Sequence, residues 1–288
     1  MNKLGYIAGI LSGLFWALAG FFYVKIVDNF VNSSYLIFVL LFCIEFIPWL
    51  FLTFSILFLK QYFVFKKELI LPFLAGFLAG PVAMYCYLNA ILFIGLSLSA
   101  SITSLYPIFA TFLAFIFLKE KLNILSFLGM CLAFSALFLL FFDGFNSHFL
   151  GLTLAFVCAL SWGIELVLSS IVLKTLPTTS VYYARQTGAS FGYAILILTQ
   201  KSNFIFQEFN SLYFFVFFSF LIFSWAISYF LYYFAIAKIG IIKAMMLNIS
   251  YIIWLVLIQK EFDFKQIILV ILIFIGANLV LFSKKDKN

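Results

Sequence analysis

Ten apolar stretches follow one another along the chain, at roughly 4–24, 32–58, 69–93, 97–117, 123–142, 149–173, 179–199, 210–236, 241–259 and 266–283. Each is about as long as the hydrocarbon core of a bilayer is thick when wound as a helix. A segment in hydrocarbon must satisfy its own backbone polar groups, so each stretch is expected to be an α-helix. The chain is thus predicted to be an all-α integral membrane protein with ten transmembrane helices. Composition excludes a soluble domain: 66% of the 288 residues are hydrophobic, 9% are charged, and the mean hydropathy is +1.22.

The second five stretches repeat the first five. Gly5 and Trp16 align with Gly151 and Trp162; Tyr87, Ala90 and Gly95 align with Tyr232, Ala235 and Gly240; Lys119-Glu120 aligns with Lys260-Glu261. Residues 1–146 and 147–288 therefore read as two five-helix units within one membrane domain. Five crossings leave the chain on the far side, so the second unit is inverted relative to the first. Inverted repeats of this kind belong to carriers that bind their cargo between the halves.

Lys3 gives the N-terminus a basic start, but the apolar run that follows is too long for a signal peptide and carries no small-residue cleavage site. It is expected to stay as the first helix. Cys43, Cys86, Cys131 and Cys158 fall inside apolar stretches and read as small packing residues, without disulfide or zinc spacing. His148 stands alone in a short loop and reads as solvated.

Basic residues set the orientation. With the N-terminus inside, Lys3, Lys60, Lys66, Lys67, Lys119, Lys121, Lys174, Arg185, Lys238, Lys243, Lys284, Lys285 and Lys287 fall on the inner side. Lys25, Lys201, Lys260 and Lys265 fall on the outer side. Both termini are therefore expected in the cytoplasm, and the net charge of +7 follows from this asymmetry without implying nucleic-acid binding.

Several polar residues lie at midplane depth. Gly5, Gly9, Gly13 and Gly20 form a small-residue stripe suited to close helix packing. Trp16 and its counterpart Trp162 sit near the midplane, away from the interface that structural tryptophans prefer. Glu45 and Glu165 are the two deeply placed carboxylates, each costing about 2.5–3.5 kcal/mol on insertion scales unless it faces a cavity or a partner. Arg185 is the one deep guanidinium, so each glutamate either pairs with it or with a lysine near a helix end, or serves a cavity. The third stretch holds Gly80-Pro81, then Tyr87 and Asn89; the fourth holds Tyr106-Pro107. Proline breaks a helical hydrogen bond, so Gly80, Pro81 and Pro107 are expected kinks and candidate gates. Trp225 with Ser224 and Ser228, and Tyr251 with Asn248, complete the outline of a polar cavity.

The chain resembles the drug/metabolite transporter superfamily, in particular its EamA-type members. The resemblance rests on ten helices in inverted repeats and on the turn Phe117-Leu118-Lys119-Glu120-Lys121, repeated as Gln259-Lys260-Glu261. Within that superfamily it is similar to bacterial choline permeases in length and in the tryptophans of its first and sixth helices. The resemblance implies a secondary transporter in the bacterial cytoplasmic (inner) membrane, working by alternating access without a cofactor. Its best-matched cargo is choline or a related quaternary ammonium. Trp16, Trp162, Tyr87, Trp225 and Tyr251 would form an aromatic cage, Asn89 and Glu45 would line it, and Glu165 would supply countercharge. Export of amino acids or other small metabolites is the alternative, in which Arg185 meets a cargo carboxylate. A membrane enzyme would need clustered acids or histidines at a membrane face, and these are missing. The partners implied are a small cationic solute and the lipid bilayer; a homodimer is left open. The symmetry is incomplete: the ninth helix is about one turn shorter than the fourth, and the second carries no counterpart of Arg185.

Overall fold

The computed structural model describes residues 3–30, 34–58, 62–120, 123–143, 148–199, 212–259 and 264–282. Ten helical segments run through them: α1 Lys3–Phe30, α2 Ser34–Phe58, α3 Lys67–Ile94, α4 Leu96–Leu118, α5 Ile124–Phe141, α6 Phe149–Leu173, α7 Thr178–Thr199, α8 Leu212–Ile239, α9 Ile241–Asn248 continuing as Tyr251–Gln259, and α10 Phe264–Phe282. All except α7 are long and apolar enough to cross a membrane by themselves. Carrying Arg185 and Gln186, α7 is the most polar of them. It depends on its neighbours, and both of these residues are buried. The first helix runs to Phe30, beyond the expected end near residue 24. Its 28 residues span about 42 Å, more than a hydrocarbon core requires.

Kinks occur where the chain loses helical hydrogen bonds. Pro81 has no N–H to offer the preceding turn, and α3 widens to a π-type turn over Leu78–Val82 around it. In α4 the helix breaks at Ser104 and Leu105, with Pro107 in the first turn of the next segment. The ninth helix breaks at the equivalent Ile249 and Ser250 although no proline is present there. Gly95 and Gly240, which join α3 to α4 and α8 to α9, both have positive φ (+80° and +85°), a conformation that side chains with a Cβ rarely adopt.

Helix contacts come in pairs related by exchanging α1–α5 with α6–α10. Packing of α1 on α8 has its counterpart in α3 on α6, and α1 on α9 in α6 on α4. The α2–α7 and α5–α10 pairs map onto themselves. The glycine stripe serves this packing: a Cβ at Gly5 would meet Ile239, and one at the equivalent Gly151 would meet Ile94. Gly129 and Gly276 lie back to back, each blocked by the other's carbonyl oxygen.

We call the face at which α1 begins proximal and the opposite face distal. One continuous core joins α1 and α3 through α10; it includes Ala8, Leu173, Tyr182, Tyr233, Ala244 and Met245 in the proximal half and extends distally along α5 and α10 through Leu137 and Leu269. The distal half, among the described residues, holds separate cores. One joins α1, α2, α7 and α8 through Ala19, Phe38, Leu41, Tyr193 and Leu221. Another joins α3, α4 and α6 through Ala90, Ile94, Leu98 and Ala155. Among the described residues, the α1–α2–α7–α8 core and the α3–α4–α6 core are therefore separate from one another at the distal end.

Candidate functional site

A cavity of about 330 Å³ occupies the middle of the bundle. That volume suits a small organic solute. Its wall rises distally through Tyr23, Leu41, Tyr87, Ala100, Phe141 and Tyr193, and its floor is formed by Glu45, Glu165, Arg185, Tyr232 and Asn248.

Aromatic rings gather in two groups. On one side Trp16 lies 4.8 Å from Trp225 and 5.3 Å from Tyr229, and Trp225 lies 5.8 Å from Tyr229. On the other, Trp162 lies 6.2 Å from Tyr87 and 6.0 Å from Tyr106, the latter edge-on. Close packing of α6 on α3 fixes the second group, since Trp162 Nε1 donates to the Ala79 carbonyl at 3.1 Å. The repeat brings one tryptophan to each group, but their companions differ: α8 presents Trp225 and Tyr229 to Trp16.

At the floor Arg185 stands between the two carboxylates. Its Nε donates to Glu165 Oε1 at 2.9 Å and its Nη1 donates to Glu45 Oε2. All three side chains are almost wholly buried, at 1–4% exposure. Glu165 also accepts from the Tyr233 hydroxyl (3.2 Å), which is hydrogen-bonded to Ser169 (2.8 Å). Arg185 donates further to Gln186 (3.1 Å), which donates to Tyr182 (2.7 Å), which donates to the Ala226 carbonyl (3.3 Å). A second buried network joins α1, α8 and α9: Asn248 donates to Ser12 Oγ, and Ser228 donates to the Ser12 carbonyl. Two carboxylates against one guanidinium leave the ion cluster with a formal charge of −1 when all three are ionised. The guanidinium also lies 4.1 Å from the centre of the Tyr229 ring, a cation–π contact that links the cluster to the Trp16 group.

Of the residues expected at a site, Trp16, Trp162, Glu165, Tyr87, Trp225, Tyr251, Glu45 and Gly80 all line this cavity. Asn89 does not: its amide is donated to the Tyr85 carbonyl in its own helix, away from the cavity. Pro81 and Pro107 shape the wall without lining it; Pro107 is buried in the α4 bend. Glu165 is not a free countercharge, because Arg185 binds it and Glu45 together. Arg185 also leaves the tally of basic loop residues, being buried. Seven of the other basic residues counted for orientation (Lys60, Lys121, Lys201, Lys260, Lys284, Lys285 and Lys287), together with Glu261, lie outside the described residues. His148 is not simply solvated: its Nδ1 accepts from Gly151 N at the start of α6 and its ring stacks on Phe93 at 4.7 Å. Tyr23, Tyr193 and Tyr229 line the cavity without having been singled out from the sequence. Helical spacing held the signal, since Tyr23 follows Trp16 by two turns and Tyr229 follows Trp225 by one. No group of three or more metal-ligating side chains occurs among the described residues.

The sequence pattern described as the EamA-like transporter family matches this chain twice, over residues 3–142 and 149–282. Protein LicB of Haemophilus influenzae is 32% identical over 288 residues, which is 96% of each chain. A protein of known crystal structure superposes with a TM-score of 0.74 over 97% of this chain and 96% of its own, at 14% identity, a likeness of fold alone.

Proposed function

The chain belongs to the EamA-like transporter family, and on that premise we propose that it imports choline or a related quaternary ammonium across a bacterial cytoplasmic membrane. The observation that carries this reading is the pairing of two aromatic groups with a buried cluster of two carboxylates and one guanidinium, whose formal charge is −1 when all three are ionised. A quaternary ammonium has no N–H to donate, so hydrogen bonds cannot hold its head. Aromatic faces can, at about 2 kcal/mol for a desolvated contact, with tryptophan the strongest partner. Trp16, Trp225 and Tyr229 supply one wall of the cage, and Trp162, Tyr87 and Tyr106 the other. Glu45 and Glu165 share the countercharge, offset by one guanidinium.

The two units, 1–146 and 147–288, rock about the cavity and open it to one face at a time. The wide turn at Pro81 and the breaks before Pro107 and Tyr251 are the places where α3, α4 and α9 bend. With both termini cytoplasmic, the distal face is the outer one, and cargo enters the cavity from that side. An inside-negative potential contributes about 2.3 kcal/mol per 100 mV for a monovalent cation, enough to drive uptake without a coupled ion. Comparing uptake under an imposed potential with uptake under an imposed pH gradient separates uniport from proton coupling.

Uptake of labelled choline into proteoliposomes tests the reading. Saturable uptake is expected from the wild type, with little from Trp162→Ala or from Glu165→Gln, which leaves the cluster neutral. Export of zwitterionic amino acids is the competing outcome. It is disfavoured because Arg185, the one buried cation of the cavity, has both of its carboxylate partners already in place.

A further inference from the structure

The ion cluster lies at one end of the cavity, and among the described residues no ion pair lines the other end. Each helix rises 1.5 Å per residue, so sequence order gives depth. From Glu165, α6 continues proximally to Ser169; from the cavity wall at Tyr193, α7 runs back to Arg185, Gln186 and Tyr182; α8 passes from Trp225 to Tyr233. Arg185, Gln186, Tyr182, Tyr233 and Ser169 thus sit on the proximal side of the cavity, and Glu45 reaches Arg185 from the middle of α2. The network ties α2, α6, α7 and α8 together there. The repeat places Ala19 and Leu88 opposite Glu165 and Tyr233, and the apolar run Val39, Leu40 and Leu41 opposite Arg185 and Gln186. Three of these distal counterparts, Ala19, Leu40 and Leu41, are buried in the apolar core of α1, α2, α7 and α8, and Leu88 packs against it.

We infer that the Glu45–Arg185–Glu165 network is a one-sided gate: it locks the cavity toward the proximal face by charge and hydrogen bonds, while the described helices meet at the distal end of the cavity by apolar contact. The consequence is directional. Proximal opening must separate or re-solvate buried charges, a step that is costly unless another charge takes part. Distal opening needs only to part hydrocarbon surfaces. Cargo acts on the proximal lock through Tyr229, whose ring contacts both the Trp16 group and the guanidinium. A cation held by that group repels Arg185 and competes for its carboxylates, so the occupied cavity unlocks more readily than the empty one.

This gate rests on the alternating-access reading above but needs no particular cargo. The test uses the full-length protein with its four cysteines replaced and Gly20→Cys introduced at the cavity wall, where a Cβ meets nothing within 4 Å. Oriented vesicles are treated with a membrane-impermeant thiol reagent from each face. The parent labels from the distal face and slowly from the proximal face. Arg185→Gln should raise the proximal rate by about tenfold or more, and Tyr233→Phe by about threefold, with distal labelling retained. Leu88→Ala, on the apolar side, should leave the proximal rate unchanged. Distal labelling also reports folding, and Tyr233→Phe carries the test alone if Arg185→Gln fails to reach the membrane. An unchanged proximal rate in a variant that still labels distally overturns the gate. So does a Leu88→Ala effect as large as that of Arg185→Gln. Because no cargo is present, an absence of choline uptake leaves this result standing. Choline uptake with unaltered labelling overturns the gate alone.

Discussion

Arg185 lies with its guanidinium carbon 4.1 Å from the centre of the Tyr229 ring, so the ion cluster and the aromatic wall meet in one contact. The same tyrosine is 5.3 Å from Trp16 and 5.8 Å from Trp225. Binding and locking are therefore carried by adjoining groups, and their contributions separate by substitution.

Arg185→Gln removes the only cation between two buried carboxylates. Breaking a buried ion pair costs about 3–5 kcal/mol, because the uncompensated charge stays behind. The variant should melt well below the wild type in detergent. Adding Glu45→Gln and Glu165→Gln to it should restore much of the loss. A single variant as stable as the wild type would show that the carboxylates are neutral without their arginine.

Trp16→Ala and Trp162→Ala each remove one ring from opposite walls. If each face contributes about 2 kcal/mol, affinity for a quaternary ammonium falls about 30-fold per substitution. Phenylalanine at either position should recover part of it. Equal losses for a cation and a neutral cargo of the same shape would mean that the rings act by packing alone.

The α5–α10 pair depends on having no side chain where Gly129 and Gly276 meet. A Cβ at Gly129 would come within 2.6 Å of the Gly276 carbonyl oxygen. Gly129→Val should therefore force the two helices apart at a cost of about 1–3 kcal/mol. Gly20→Ala, with open space around it, should leave the melting temperature unchanged.

Pro107 accompanies the break in α4, yet α9 breaks at Ile249 and Ser250 without a proline. Tertiary packing thus suffices to hold such a bend. Pro107→Ala is expected to preserve fold and transport within about twofold, since only a local φ preference is lost. Gly95→Ala should cost more, because its φ of +80° is strained for alanine.

The helices were legible in the sequence because hydropathy is a local property: 149–173 and 241–259 are reproduced to the residue. The end of α1 was not, since the turns up to Phe30 carry Lys25, Asp28 and Asn29 and no longer read as apolar. Trp16 and Trp162 were found through the repeat, which tests a residue's depth twice. Asn89 was misplaced because depth is readable and helical rotation is not; its amide bonds its own helix. The ion cluster lay at the edge of what sequence shows. Glu45, Glu165 and Arg185 stood out as the deep charges, but Glu45 and Arg185 are 140 residues apart, and only the packing of α2 on α7 joins them.

The central claim is that the cavity recognises a positive charge without an N–H. The most direct measurement is equilibrium binding to the purified protein of labelled choline, competed by its neutral carbon isostere 3,3-dimethylbutan-1-ol. Saturable choline binding is predicted, weakened about 30-fold in Trp162→Ala and lost in Glu165→Gln, with the isostere failing to compete at about 100-fold higher concentration. Competition by the isostere at concentrations similar to choline would contradict the account, because shape and apolar contact would then suffice and the charge of the cluster would play no part in recognition.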